Sequence, residues 1–158
     1  MEKSKQNPMD FAMKMLAIRD YGEAELKSRM ESKGFGPAEI VPAINILKKK
    51  GFLDDTVYIG KIIEKYTLKA PSGRAFIMDY LERKGLKKEQ YEGLLNPVNE
   101  LSVARLAFKM KFKPLKKNEN PSKIRQKAAN YLQTKGFDYD IIVEILNEEI
   151  KGDADYEQ

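Results

Sequence analysis

The tripeptide Lys33-Gly34-Phe35 recurs as Lys84-Gly85-Leu86 and again as Lys135-Gly136-Phe137, at intervals of 51 residues. A lysine in the last turn of a helix interacts favourably with the negative end of the helix dipole. A glycine just beyond that turn takes the left-handed conformation that ends the helix, and the apolar residue after it packs back. The sequence therefore predicts a helix that stops at each of the three glycines.

The same interval aligns apolar positions on both sides of the glycine. The aligned columns are Leu26, Ile77 and Ala128; Met30, Leu81 and Leu132; Ile40, Tyr91 and Ile142; Ala43, Leu94 and Ile145; and Ile44, Leu95 and Leu146. After the glycine the apolar positions fall at i, i+3 and i+4, which is one face of a helix. Each repeat therefore contains a helix, a glycine stop and a second helix.

A further helix is predicted ahead of each pair. Its stripes are Met9, Ala12, Met13, Leu16 and Asp20; Tyr58, Ile59, Ile62, Ile63 and Tyr66; and Leu101, Ala104, Ala107, Phe108 and Lys111. Pro8 suits a first turn, Asp54 or Asp55 suits the N-cap of the second stripe, and Asn99 that of the third. The alternation of Phe108, Met110 and Phe112 with lysines leaves a short strand over 108–113 as the alternative to helix.

The predicted fold class is all-α, with nine helices in three tandem three-helix repeats of period 51 residues. Units of this size bury little surface alone, so we expect them to stack into an elongated, curved body. The predicted repeats are 8–53, 54–98 and 99–150, with a loose N-terminus at 1–7 and an acidic tail at 151–158.

Composition argues against catalysis. The 158 residues include neither histidine nor cysteine, which excludes imidazole bases, thiol nucleophiles, disulfides and zinc fingers. We therefore expect no enzyme activity, no cofactor and no metal. The richest apolar run, Ile40 to Leu47, is eight residues long and far too short to span a membrane. No apolar segment follows Lys3 and Lys5, so we expect a cytoplasmic protein without membrane contact.

Charge is distributed unevenly along the chain. The 29 basic and 24 acidic residues give a net charge of +5, but residues 101–137 carry +9 and residues 138–158 carry −7. Basic and aromatic side chains interleave from Phe108 to Lys117, and such a run could follow a phosphate backbone and offer stacking faces. The alternative is a solvated helix face with Phe108 and Phe112 in the core. The acidic end could contact a basic partner or mask the basic residues beside it.

The candidate filament- or DNA-binding residues form two groups. We call the first group the basic strip, and it consists of Lys109, Lys111, Lys113, Lys116, Lys117, Lys123 and Arg125. The second group, chosen because the first two repeats must also face the partner somewhere, is Arg19, Lys27, Arg29 and Arg74.

Several segments resemble one bacterial family. They are Glu25-Leu26-Lys27 with Lys33-Gly34-Phe35, the junction Gly51-Phe52-Leu53-Asp54-Asp55, Lys84-Gly85-Leu86, and Ala129-Asn130-Tyr131-Leu132 with Lys135-Gly136-Phe137. Together they are similar to the recombination regulator RecX, over roughly residues 10–150. Gly22 and Phe76 depart from the family pattern, which usually has a serine and often a basic residue at those positions.

The resemblance implies a modulator of the RecA recombinase, an ATP-hydrolysing filament on single-stranded DNA. Members of the family bind in the helical groove of that filament and inhibit its ATPase, strand-exchange and coprotease activities. On this hypothesis the partners are the RecA filament and single-stranded DNA, contacted directly or through the filament, and the protein is a monomer. The alternative is a stand-alone basic helical module that binds nucleic acid without the recombinase. A small helical enzyme is disfavoured by the missing histidine and cysteine.

Overall fold

The computed structural model describes residues 6–116 and 118–150, and this part of the chain forms nine α-helices and no strand. The helices are α1 Pro8–Ile18, α2 Glu23–Lys33, α3 Pro37–Lys49, α4 Asp55–Glu64, α5 Arg74–Arg83, α6 Lys88–Leu95, α7 Glu100–Phe112, α8 Pro121–Thr134 and α9 Tyr139–Glu149. A π-helical segment, Lys65–Lys69, continues α4. The predicted all-α class is confirmed, and the strand alternative for 108–113 is wrong. The predicted tail and residues 1–5 of the predicted loose N-terminus lie outside the described residues.

The three repeated glycines end helices as predicted. Gly34, Gly85 and Gly136 have φ of +103°, +78° and +82°, in the left-handed region. After each glycine the next backbone N–H donates to a carbonyl five residues earlier, for example Phe137 to Leu132 at 3.2 Å. The apolar residue that follows each glycine is buried. These are the hydrogen bond and the apolar contact of a Schellman ending.

The predicted N-caps are also present. Asn99 accepts from the Ser102 N–H at 3.1 Å, and Asp54 accepts from the N–H groups of Thr56 and Val57 at 3.0 and 3.2 Å. Asp54 is therefore the N-cap of α4, and the side chain of Asp55 does not cap this helix.

The start of α2 is capped from a distance. Its own N-cap residue, Gly22, has no side chain, and the Asp55 carboxylate accepts the Glu23 N–H at 2.8 Å instead. The start of α5 is also capped by a distant residue, because the Glu100 carboxylate accepts a hydrogen bond from the Arg74 N–H at 2.9 Å.

By contacts the chain divides into two compact units. Unit 1 consists of Met1–Lys61 and Leu81–Glu92, and unit 2 of Ile62–Tyr80 and Gly93–Gln158. The boundaries of the three sequence repeats stay a prediction. Most of the predicted apolar positions are buried, but Met9, Leu16 and Leu101 are partly exposed, and Met13 and Leu94 are more than a third exposed.

Each unit has its own apolar core. In unit 1 the side chains of Leu26, Met30, Ile44 and Leu47 are buried among α1, α2 and α3. In unit 2 the core joins α7, α8 and α9 through Phe108, Ala128, Leu132 and Ile145, each of them fully buried. α7 and α8 are thereby fixed side by side, which places the basic strip.

Within unit 2 the start of α5 meets the end of α8. The Gly73 N–H donates to the Lys135 carbonyl at 2.7 Å, so the two backbones are in direct contact. A Cβ atom at Gly73 would lie 2.0 Å from the Gly136 carbonyl oxygen, which no side chain can tolerate. Only glycine fits at this position.

Replacing Gly73 by alanine should therefore destabilise the protein by about 3 kcal/mol, as for other forced overpacking of a close contact. The matched change is Gly93→Ala in α6, where an added Cβ meets nothing within 4 Å. That change should stabilise the protein by about 0.5–1 kcal/mol, since alanine loses less conformational freedom in a helix. Urea unfolding followed by circular dichroism measures both values. Equal stability of the two variants would contradict the close contact.

Candidate nucleic-acid interface

The basic strip lies in unit 2, on the last turns of α7, the connection after it, and the first turns of α8. Lys109, Lys116 and Lys123 are exposed there. Lys117 lies outside the described residues. Of the interleaved aromatic residues Phe108 is fully buried, so for this ring the core interpretation is the correct one.

Acidic residues of α9 neutralise part of the basic surface. Lys113 Nζ lies 3.2 Å from Glu149 Oε2. Arg105, on α7, donates to Glu148 through Nε at 3.1 Å and Nη2 at 2.9 Å. Glu148 and Glu149 therefore pair with basic residues of the same unit, of which Lys113 belongs to the basic strip. Lys113 is exposed as well, but it is paired within the unit, whereas Lys109, Lys116 and Lys123 form no ion pair with any described residue.

Two candidate arginines bind backbone carbonyls. Arg74 donates to the carbonyls of Leu95 at 3.1 Å and Val98 at 3.0 Å, which fixes the connection between α6 and α7. Arg125 donates to the Leu146 carbonyl near the end of α9 at 3.3 Å. Both side chains are only partly exposed. These hydrogen bonds support the fold of unit 2. Only the remaining N–H groups of the two guanidinium groups are available to a partner.

Tyr131 and Lys135 lie beside Lys111 on this surface, but the sequence did not single them out as candidates. The ring of Tyr131 is only half-buried, and the ammonium groups of Lys111 and Lys135 each lie 5.7 Å from its centroid. The i, i+4 spacing of Tyr131 and Lys135 was the available signal, because it places them on one side of α8. The structure thus brings Lys111 together with an aromatic ring and a second lysine.

In unit 1, Arg19 is held by its neighbours. Its Nη2 lies 2.5 Å from Glu25 Oε1, and its guanidinium carbon lies 3.7 Å from the centroid of the Tyr21 ring. Lys84 Nζ approaches the same Glu25 oxygen at 3.3 Å. Burial raises the pKa of the Glu25 carboxyl, but the hydrogen bond from Arg19 and the charges of Lys84 and Arg19 outweigh it. The pKa of Glu25 therefore lies below its ordinary value of 4.5.

The other two candidates in unit 1 differ from each other. Lys27 Nζ lies 3.0 Å from Glu23 Oε1 on the same face of α2. Arg29 is exposed on that helix and forms no ion pair with any described residue. Among the three candidates in unit 1, Arg29 alone is exposed without an ion pair to a described residue, whereas Lys109, Lys116 and Lys123 in unit 2 all are.

Neither a metal site nor a membrane span emerges from residues 6–116 and 118–150. No group of three acidic side chains there could hold a metal ion. None of the helices there is long and apolar enough to cross a bilayer.

Comparison with known proteins gives one consistent result. The family model of the third three-helix domain of RecX matches residues 99–146. Regulatory protein RecX of Chlorobaculum tepidum is 29% identical over 145 residues, covering 92% of this chain and 89% of the relative. Its counterpart in Clostridium botulinum Eklund 17B is 33% identical over 132 residues, covering 81% of this chain and 61% of the relative. The crystal structure of RecX from Lactobacillus salivarius superposes with a TM-score of 0.73 at 20% identity, covering 89% of this chain and 93% of that chain.

The low pKa of Glu25 predicts a pH-dependent contribution to stability. Since the folded carboxyl is the stronger acid, the contribution is complete above the ordinary value of 4.5 and is lost as the pH falls through the lower folded pKa. Glu25→Gln should cost about 1 kcal/mol of unfolding free energy at pH 7, and the difference from the parent should shrink on acidification. Urea titrations at pH 7 and pH 3 measure it. Glu31→Gln, a change at an exposed position of the same helix, should leave the unfolding free energy unchanged at both pH values. A stability loss in Glu25→Gln that is the same at pH 7 and pH 3 would contradict the ion pair.

Proposed function

The chain belongs to the RecX family of regulatory proteins, and from that membership we propose that it regulates the RecA recombinase by binding its filament on single-stranded DNA. RecX is a family of regulatory proteins, and the chain is not an enzyme. The proposed effect is mainly inhibition of the filament's ATPase, strand-exchange and coprotease activities. The match along nearly the whole chain carries this proposal, because a match to one isolated motif would support only a shared local structure.

The surface of unit 2 supports contact with the DNA of the filament. Lys109, Lys116 and Lys123 are exposed and form no ion pair with any described residue, so their charges are available to phosphate groups. Each lysine that neutralises a phosphate releases a counterion, which favours binding at low salt. A basic surface of this kind suits a protein that lies along a filament wound on DNA.

Catalysis by the chain is unnecessary for such an effect. A bound protein shifts an equilibrium between two filament geometries whenever it binds one of them more tightly. On this proposal the monomer acts in the cytoplasm, favours a filament geometry of low ATPase activity, and uses no cofactor.

The direct test is DNA-dependent ATP hydrolysis by the cognate recombinase, measured on circular single-stranded DNA. Substoichiometric amounts of this protein should slow turnover, because one bound molecule constrains neighbouring protomers. Absence of inhibition at saturating protein would refute the proposal. A reaction with DNA and ATP but no recombinase serves as control, and turnover there would instead indicate an enzyme.

The second test separates filament regulation from stand-alone nucleic-acid binding. The five lysines 109, 111, 113, 116 and 117 are replaced together by glutamine. Filament binding should weaken, and the dependence of its affinity on salt should flatten by about 0.7 per lost phosphate contact. If filament binding survives unchanged, the basic strip is only a solvated face. If the parent chain binds DNA tightly but does not bind or inhibit the recombinase, the hypothesis of a stand-alone nucleic-acid-binding module is correct.

The control for that variant removes the same charge from unit 1. It replaces five exposed lysines there by glutamine: Lys14, Lys49, Lys50, Lys87 and Lys88. This variant should retain most of the filament binding, because none of its five lysines is among the candidate filament- or DNA-binding residues. Equal losses in both variants would mean that only the net charge of the protein matters.

A further inference from the structure

One aromatic ring on unit 2 carries two ammonium groups. Tyr131 lies in α8, Lys135 follows it by one helical turn, and Lys111 reaches it from α7; both Nζ atoms are 5.7 Å from the ring centroid. The Phe112 ring meets the Tyr131 ring at 80° with 5.7 Å between centroids, and this edge contact fixes the orientation of the tyrosine. The result is an oriented aromatic ring with two ammonium groups beside it.

The packing of Tyr131 against the core of unit 2 does not account for the two ammonium groups beside its ring. Two like charges repel each other, and neither lysine has an ion-pair partner among the described carboxylates, whereas Lys113 and Arg105 of the same unit do. The Tyr131 ring remains partly exposed, and its hydroxyl forms no hydrogen bond within the described part of the chain. A phosphate is an anion that two ammonium groups can bind together, and an aromatic ring beside them offers a face on which a base can stack.

We propose that Tyr131 stacks on one base of a single-stranded nucleic acid while Lys111 and Lys135 bind the flanking phosphates. A base can approach an aromatic ring in this way only when it is unpaired, and every base offers a face for stacking. Each ammonium sits on a long flexible stem and can turn from the ring to a phosphate. The inference rests on the proposed function, since it assigns the contact with the DNA strand to a defined place on unit 2.

The test measures binding of fluorescently labelled oligo-dT by anisotropy, without recombinase. Tyr131→Leu should weaken binding about tenfold, which is the usual effect of removing one base–aromatic stack. Tyr131→Phe keeps the ring and should bind within about twofold of the parent. Tyr139→Leu is the matched control, because Tyr139 is a 77% exposed tyrosine of the same unit and no described cation lies over its ring. This control should bind like the parent.

The lysines are tested through salt. Lys111→Gln and Lys135→Gln should each reduce the slope of log affinity against log salt concentration by about 0.7, as expected for one phosphate contact on a single strand. These variants keep the test decisive even if Tyr131→Leu folds poorly. Photo-crosslinking to oligonucleotides that contain 5-iodouracil should join the base to Tyr131, as mass spectrometry of the peptides would show.

Two outcomes would overturn the stacking contact: parental affinity in a folded Tyr131→Leu, or crosslinks that map to other aromatic residues only. A parallel recombinase ATPase assay separates this failure from failure of the proposed function. If the parent inhibits the ATPase while Tyr131→Leu binds oligo-dT normally, only the stacking contact is wrong. If Tyr131→Leu loses oligo-dT binding but the parent never inhibits the ATPase, the stacking contact stands and the recombinase role is wrong.

Discussion

The rest of this structure depends on helix ends that come so close that a side chain would not fit. In unit 2, Gly73 and Phe76 at the start of α5 lie directly against Gly136 at the end of α8. In unit 1, a Cβ on Gly85 at the end of α5 would lie 2.9 Å from the Cβ of Ala24 at the start of α2. In both places a left-handed glycine ends one helix and makes room for the start of another. The contact at Gly73 is with backbone and therefore cannot be relieved by a side-chain movement, whereas the contact at Gly85 is with the Cβ atom of Ala24.

The same junctions explain why carboxylates begin α4 and α7. A helix that starts at glycine lacks a side-chain cap, and its first N–H groups need acceptors. Asp55 supplies one to α2 and Glu100 supplies one to α5, each from the helix that opens the next sequence repeat. Gly22, which has no side chain to cap α2, is therefore compensated by a carboxylate 33 residues later in the chain. Stability and spacing of the helices are thus coupled through polar contacts as well as through the cores.

The basic residues of unit 2 fall into two groups, those that are bonded within the unit and those that are not. Lys113 and Arg105 pair with α9, and Arg125 binds a backbone carbonyl, so these residues contribute to the fold. Lys109 and Lys116 stay exposed. A net charge counted along the sequence cannot distinguish the two groups, because pairing depends on which acidic helix packs beside them. The candidate interface is consequently smaller than the basic strip and gains Tyr131, which the strip did not include.

The sequence by itself determined much of the local structure: where helices stop at the three glycines, which faces are apolar, and that Asn99 caps α7. Local steric and hydrogen-bonding preferences suffice for this, since Gly136 needs only its own backbone to end α8 and Asn99 only its neighbours to cap α7. Tertiary structure alone decided the partners of charged and aromatic groups. Tyr131 shares the helical spacing of core residues, and only the packing of α7 against α8 leaves its ring half exposed beside Lys111. Periodicity gives the direction of a side chain from its helix, but exposure depends on what the neighbouring helix covers.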